Sequence, residues 1–367
     1  MTQEIKFSDE QDLADFIRRR EDPVHIVGGG TRGLDLNYDR LDTSALCGVV
    51  EYEPGALTMV AKAGTPLSEI EATLAREGQQ LAFEPIVLNS VLGTKGASTI
   101  GGVFASNASG ARRIQAGAAR DFLLGVRYID GHGNIIKNGG RVMKNVTGYD
   151  IVKLMAGSWG TLGIVTEVAF KVLPMPTQQA TLVISNIDAN DAVDAMTASL
   201  NTPFDVNGAT YDIAARCAYI RIEGFEKSVD YRVQSLVDAM GQASAIDVCK
   251  GADSAKIWAD IRHLKAISGR GDHLWKISVR PTDGPQIVSN LGLNSGILDW
   301  SGGLIWATLE KGKQASAILG DIAGHAMNIS QRSETNFQSL NPEIAKLQKA
   351  LKAKFDPKDL FNSGLMR

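Results

Sequence analysis

Cysteine is scarce and scattered. Cys47, Cys217 and Cys249 stand far apart with no C-x-x-C pair, which excludes a zinc site or an iron-sulfur cluster held by this chain's own thiols. Three isolated thiols suit a reducing compartment. The five histidines form no cluster, and the ten-residue gap between His263 and His273 gives no pair on one helix face, so no metal ligand set is visible. A concentrated basic stripe is missing as well. With 38 Lys and Arg against 41 Asp and Glu, the net charge is -3, which argues against nucleic-acid binding driven by phosphate neutralisation. The run Arg18-Arg19-Arg20 reads as the solvated end of a helix, where positive charge complements the macrodipole. No stretch of about 18 uncharged apolar residues occurs. The opening MTQEIKFSDEQD has acids where a signal peptide needs a basic and then apolar run. The expectation is a cytoplasmic protein without direct membrane insertion, held at a membrane, if at all, by partners.

Glycine is plentiful and unevenly placed. Of 38 glycines, 23 lie before residue 164, and the densest stretch runs from Gly93 to Glu167, through GTKGASTIGGVFASNASGARR to GSWGTLGIVTE. Residues without bulk let a backbone approach a ligand and turn its N–H groups inward as an anion-binding nest. The expected ligand therefore carries phosphates and is held largely by main chain, with a dinucleotide cofactor as the first candidate. At 367 residues the chain exceeds one typical core and predicts two domains.

Caps and periodicity predict the elements. Ser8 and Gln11 form an S-x-x-Q capping box for a helix through Arg20, with Leu13, Phe16 and Ile17 on one face. Pro23 ends it, and VHIV follows as a buried strand. A second helix runs from Thr65 as N-cap and Pro66 to Gly78 as the C-terminal cap. LLGVRYI, a turn at Asp130 to Asn134, and II predict a hairpin, and IVTEVAFKV another strand. After the linker PMPTQQ, the strand-like TLVIS, AYIRIE, LWKISV and LIWATL alternate with helical patterns near 190–200, 228–240, 254–267 and 314–326. A final helix spans 342–355, with Ile344, Leu347 and Leu351 as its apolar positions. The whole is an α+β arrangement.

Gly28, Gly30 and Gly33 satisfy G-x-G-x-x-G directly after the VHIV strand, which raises a Rossmann reading. That motif must open a long amphipathic helix, whereas LDLNYDRLDTSALC has no 3.6-residue stripe and resembles a loop leading to another short strand. The same glycines suit a phosphate-binding turn of a different fold, with Thr31 donating a hydroxyl hydrogen bond; a plain strand-to-loop turn is the alternative.

Taken in order and spacing, GGGTRGLD, TIGGVFASNASG, LLGVRYIDGHG and KNVTGYDIVKLMAGSWGTLGIVTEVAFKVLP resemble the FAD-binding domain shared by vanillyl-alcohol oxidase, p-cresol methylhydroxylase and the flavin-dependent D-lactate and glycolate dehydrogenases. FDPKDLFNSG resembles the closing segment of that family. The resemblance implies a PCMH-type FAD-binding domain of two α+β subdomains over residues 1–175, a smaller α+β cap over 176–335, and a tail, 336–367, that returns to the first domain. It further implies that Gly28, Gly29, Gly30, Thr31 and Arg32 bind the pyrophosphate and that Pro85 lies near the flavin. Ser98, Thr99, Gly101 and Gly102 would form a second phosphate-side turn, followed by Asn107 and Gly110. Gly163 and Ile164, with Asn362 from the tail, would complete the cofactor site. Some relatives tether FAD through a histidine in the first loop; here Gly30-Thr31 stand there, so the FAD is expected to be noncovalent. His25 reads as a structural histidine, and Trp159 stands where relatives often have glutamate.

Along the whole chain, VTGYDIVKLMAGSWGTLGI, LWKISVRP and DWSGGLIWATL resemble the flavin subunits of bacterial glycolate oxidases. That likeness implies oxidation of a small 2-hydroxy acid such as glycolate. The partners would be a second flavin subunit and an iron-sulfur subunit that takes the electrons. Such chemistry needs a cation to orient the carboxylate and a base for the hydroxyl proton. Arg280, ahead of Arg221, is the expected fork, His273 the expected base, and Trp275, Trp300 and Trp306 the expected walls. A noncatalytic flavin relay or assembly subunit is the alternative role, and a stand-alone D-2-hydroxy-acid dehydrogenase a further one.

Overall fold

The structure, a computed structural model, describes residues 2–141, 148–241, 246–271, 273–330 and 341–365; Lys144 to Thr147 of the KNVTGYD motif lie outside them. The first helix is Glu10–Arg19, and its cap is Asp9 rather than Ser8: the Asp9 carboxylate accepts from the amides of Gln11 and Asp12. A carboxylate at that position meets both orphan donors and the positive end of the helix, which a hydroxyl one residue earlier does not. Leu13, Ala14 and Ile17 are its buried face. They pack on a parallel three-stranded sheet ordered Glu4–Lys6, Asp39–Asp42, Val24–Val27. The C-terminal segment extends this sheet, since Val24 N–H donates to Leu360 and Asn362 N–H to Val24. Leu360 and Phe361 are fully buried in the same core.

A second, antiparallel sheet is ordered Val49–Glu53, Thr58–Lys62, Ile164–Lys171, Leu123–Ile129, Ile135–Gly139. In Ile164–Lys171 every second residue is buried, the period of a strand with one face on a core. The helix Leu67–Arg76 lays Leu67, Ile70 and Leu74 on this core. Thr65 is not its cap: its buried hydroxyl accepts from Gly48 N–H and donates to the Lys62 carbonyl, tying two loops together.

The third sheet is antiparallel throughout, with the order Ile246–Lys250, Gln178–Ser185, Cys217–Gly224, Val206–Asp212, Ile297–Asp299, Leu304–Leu309, His273–Val279, Gly324–Asn328. Its strands split by parity. Trp275, Ile277, Ile305, Ala307 and Ala326 share a core with the helices Ala189–Leu200, Glu226–Met240 and Gly284–Asn290. Leu274, Leu304, Trp306 and Met327 face the other way and join the core of the five-stranded sheet. The helix expected over 314–326 stops at Leu319, since Gly320 has φ +54, and the chain returns as the edge strand Gly324–Asn328. The last helix, Pro342–Phe355, turns Ile344 (53% exposed) and Leu347 (67%) to solvent, so the expected apolar stripe is only partly packed, through Leu351 and Phe355.

Candidate functional site

A cleft with ≈ 820 Å³ of free space, partly open to solvent, runs between the first two sheets. Its floor begins where strand Val24–Val27 ends. Gly28 lies against the Thr99 hydroxyl, where a Cβ would come within 2.4 Å. Gly29 meets the loop before the helix Ile100–Ala105 back to back: a Cβ on Gly29 would stand 1.5 Å from the Ala97 carbonyl, and one on Gly96 would stand 1.7 Å from the Gly29 carbonyl. Only glycine lets two backbones come that close. Gly30 turns the chain with φ +65, and no helix follows. The next element is the strand Asp39–Asp42, parallel to Val24–Val27, so the glycine motif does not open a Rossmann unit.

Among the described residues, the amides of Gly28, Gly29, Gly30, Thr31 and Arg32 donate to no protein acceptor. Five successive unmet donors at a cleft floor are what a phosphate needs. Across the cleft, Thr99 caps the helix Ile100–Ala105 by accepting from Gly102 N–H at 3.3 Å. The far wall is Trp159, in the left-handed region with φ +54, followed by Gly160. Asn362 locks it in place, accepting from Ile26 N–H and donating to the Trp159 carbonyl, both at 2.7 Å. The residues present therefore fit an extended, phosphate-bearing cofactor.

The cleft brings together Gly28, Gly29, Gly30, Thr31, Arg32, Thr99, Gly101, Gly102, Gly163 and Asn362. The other five expected cofactor residues do not line it. Pro85 offers its carbonyl to Arg262, and the Ser98 carbonyl accepts from Leu67. Asn107 is a turn residue with φ +49 that accepts from Arg120 N–H. The Gly110 carbonyl accepts from Trp300 Nε1, and Ile164 points into the core because its strand alternates. The Gly101 position is glycine for packing, since a Cβ would lie 2.6 Å from that of Ala63. His25, read as structural, does line the cleft. Burial, helped by Arg40 and opposed by Asp35, drops its pKa to about 4, so it is neutral at pH 7. Ala105, Ser106 and Val165 line the cleft as well; none stands next to a glycine, so the glycine pattern does not mark them.

The expected substrate residues fare differently. Arg280 is 74% exposed and pairs with Asp283, beyond the end of strand His273–Val279. Arg221 is fully buried and forks onto Glu84, with its Nε on Asn207 and its plane on Trp258. His273 shares strand parity with Trp275, on the helix-covered side of the sheet, and its Nδ1 lies 3.5 Å from Ser330 Oγ. Trp275 is buried there too. Strand alternation presents Lys276 instead, directly across from Trp306; a single lysine inside LWKISV carries no sequence signal that marks it. Trp300 reaches the loop after the helix Ile100–Ala105 through its bond to the Gly110 carbonyl. Among the described residues no three His, Cys, Asp or Glu converge on a point where a metal would sit, and no helix is long and apolar enough to cross a membrane.

Residues 5–139 match the family described as FAD binding domain. The chain is 33% identical to glycolate oxidase subunit GlcE of Escherichia coli over 94% of its own length and 92% of that protein. It is 45% identical to glycolate oxidase subunit GlcD of Bacillus subtilis, over 25% of this chain and 20% of that one. Among solved structures, alkyldihydroxyacetonephosphate synthase shares the fold, with a TM-score of 0.68 at 17% identity, covering 98% of this chain and 76% of that one. With identity above 30% along nearly the full length of both chains and a matching cofactor domain, this chain belongs to the family of FAD-binding glycolate oxidase subunits of the GlcE type.

Proposed function

We propose that this chain is the FAD-holding subunit of a complex that oxidises glycolate, or a closely similar 2-hydroxy acid, to the 2-oxo acid and hands the electrons to a partner. The observation that carries the cofactor's place is the row of five unmet amides from Gly28 to Arg32 at the cleft floor. They would hold the pyrophosphate, with the Thr31 hydroxyl beside them, while Trp159 and Asn362 keep the far wall in place. When bound, FAD supplies a two-electron acceptor for the hydride on the carbinol carbon. The first loop has no histidine to tether it, which supports a noncovalent cofactor. The kinship with subunits named for glycolate oxidase supports membership of a complex. An iron-sulfur partner, and a cytoplasmic location at the membrane only through partners, belong to the same proposal.

A second reading, a flavin relay or assembly subunit, draws on the positions of Arg280 and His273, neither of which lines the cleft. Adding glycolate without oxygen to the FAD-reconstituted chain separates the two. Loss of the visible flavin band supports oxidation by this subunit; a persistent band on tightly bound FAD assigns the chemistry to a partner.

A further inference from the structure

Every strongly buried arginine in the clamp between the two cores has a carboxylate partner: Arg112 meets Glu84 and Glu223, and Arg221 meets Glu84. A second group of cations differs. Lys276 lies within electrostatic reach of Arg113 and Arg32, and among the described residues none of the three forms an ion pair. Asp121, the acid that Arg113 feels, is engaged by Arg120 and by the amide of Ala118. Arg113 stacks 4.3 Å over Trp300. The Lys276 ammonium lies 6.0 Å from the same ring and 5.9 Å from that of Trp306. Two buried sets of donors remain unmet beside them, Nε and Nη2 of Arg32 and Nε1 of Trp306, which is 2% exposed.

Three like charges, two of them against the indoles and the third, Arg32, within electrostatic reach of Lys276, repel one another, and partial desolvation enlarges the cost. An anion with several acceptor oxygens removes both the repulsion and the unmet donors. Arg32 also lines the cofactor cleft, so the anion would sit next to it. We propose that Arg32, Arg113 and Lys276, walled by Trp300 and Trp306, bind the carboxylate of a small hydroxy acid. The inference rests on the hydroxy-acid reading for the ligand's identity, while the oxyanion chemistry is read from the residues. The same chemistry could serve the cofactor's own phosphates, and the experiment separates the two sources.

The FAD-reconstituted protein is titrated with oxalate, a nonoxidisable carboxylate of glycolate's size, by calorimetry and by perturbation of the flavin spectrum. FAD affinity is measured in parallel. The expected result is saturable oxalate binding that weakens at least about ten-fold in Lys276→Met, with FAD affinity unchanged, and that Lys276→Arg largely restores. Replacing a partly buried ammonium by an isosteric apolar chain does not threaten folding. The proposal is overturned if wild type fails to bind oxalate, if Lys276→Met binds it normally, or if that variant loses FAD instead, which would assign the cluster to the phosphates. Failure of the function reading looks different: oxalate binds through Lys276, yet glycolate never reduces the flavin.

Discussion

Arg221 and Glu84 meet in a bidentate pair, Nη1 to Oε1 at 2.8 Å and Nη2 to Oε2 at 2.7 Å, and so fasten the eight-stranded sheet to the loop that follows the helix Leu67–Arg76. Arg112 and Glu223 complete the clamp from the opposite sides, and Asn207 bonds to both Arg221 and Glu223. Burial alone would raise the Glu84 carboxyl, but Arg221 and Arg112 outweigh it and hold its pKa at about 2. Its stabilising contribution is therefore present above the unfolded value of 4.5 and is lost as pH falls from there through about 2. Arg221→Ala leaves a buried carboxylate short of a partner and is expected to destabilise the protein by about 3–5 kcal/mol. Denaturant melts check this, and a loss under about 1 kcal/mol would refute it.

The glycines of the cleft separate into two kinds, which side-chain substitutions distinguish. Gly29→Ala forces the Ala97 carbonyl away and is expected to lower both stability and FAD affinity. At Gly102, which lines the cleft, a Cβ meets only the Thr99 hydroxyl, at 3.2 Å. Gly102→Val should melt within about 1–2 kcal/mol of wild type, given the ordinary range of point substitutions, yet bind FAD at least about ten-fold more weakly. Normal FAD affinity in Gly102→Val would remove this helix from the cofactor site.

Asp299 is buried beside the clamp, where it accepts from the Thr210 hydroxyl and from Trp300 N–H. Burial raises its pKa to about 6, with Glu84 adding to the effect and the two hydrogen bonds opposing it. The folded value exceeds the unfolded 3.8, so this group's contribution is favourable at low pH and declines as pH rises through about 6. Asn keeps an acceptor for both donors without the charge. Asp299→Asn is thus expected to gain about 1–3 kcal/mol at pH 7.5 and nothing below pH of about 4. A variant less stable than wild type at pH 7.5 would contradict it.

Burial, with the charges of Arg113 and Arg32, lowers Lys276 to about 8. Arg32, lowered by burial to about 10, stays charged through that range, and His325, lowered by desolvation and by Lys276 itself, is neutral there. Oxalate affinity is therefore expected to fall as pH rises through about 8, with proton uptake on binding near that pH. Lys276→Met should flatten the profile. An unchanged decline in the variant would point to another titrating group.

How much of this was legible beforehand depended on whether the signal was local. Glycines in the order of Gly28, Gly101 and Gly163, the turn after Ile129 and the alternation of Ile164–Lys171 are short-range patterns, and they carried the α+β class and the cofactor class. Caps were less secure: Ser8 and Asp9 both suit an N-cap, and only the backbone angles chose Asp9. Asn362 was legible as a tail motif, but not as the bridge between Ile26 and Trp159, because those partners are distant in sequence.

The sequence by itself determined that glycine-rich backbone lines the cleft between the first two sheets, since only residue type limits how close two chains can come. Tertiary structure decided which cation meets which face. Arg221 and Arg280 look alike along the chain, yet one is buried against Glu84 and the other lies in solvent with Asp283. Strand parity turns Lys276 toward Trp306 and His273 away from it. That choice depends on the register of the eight-stranded sheet, where a shift of one residue exchanges every side chain between faces, and register is fixed by pairing across the whole domain.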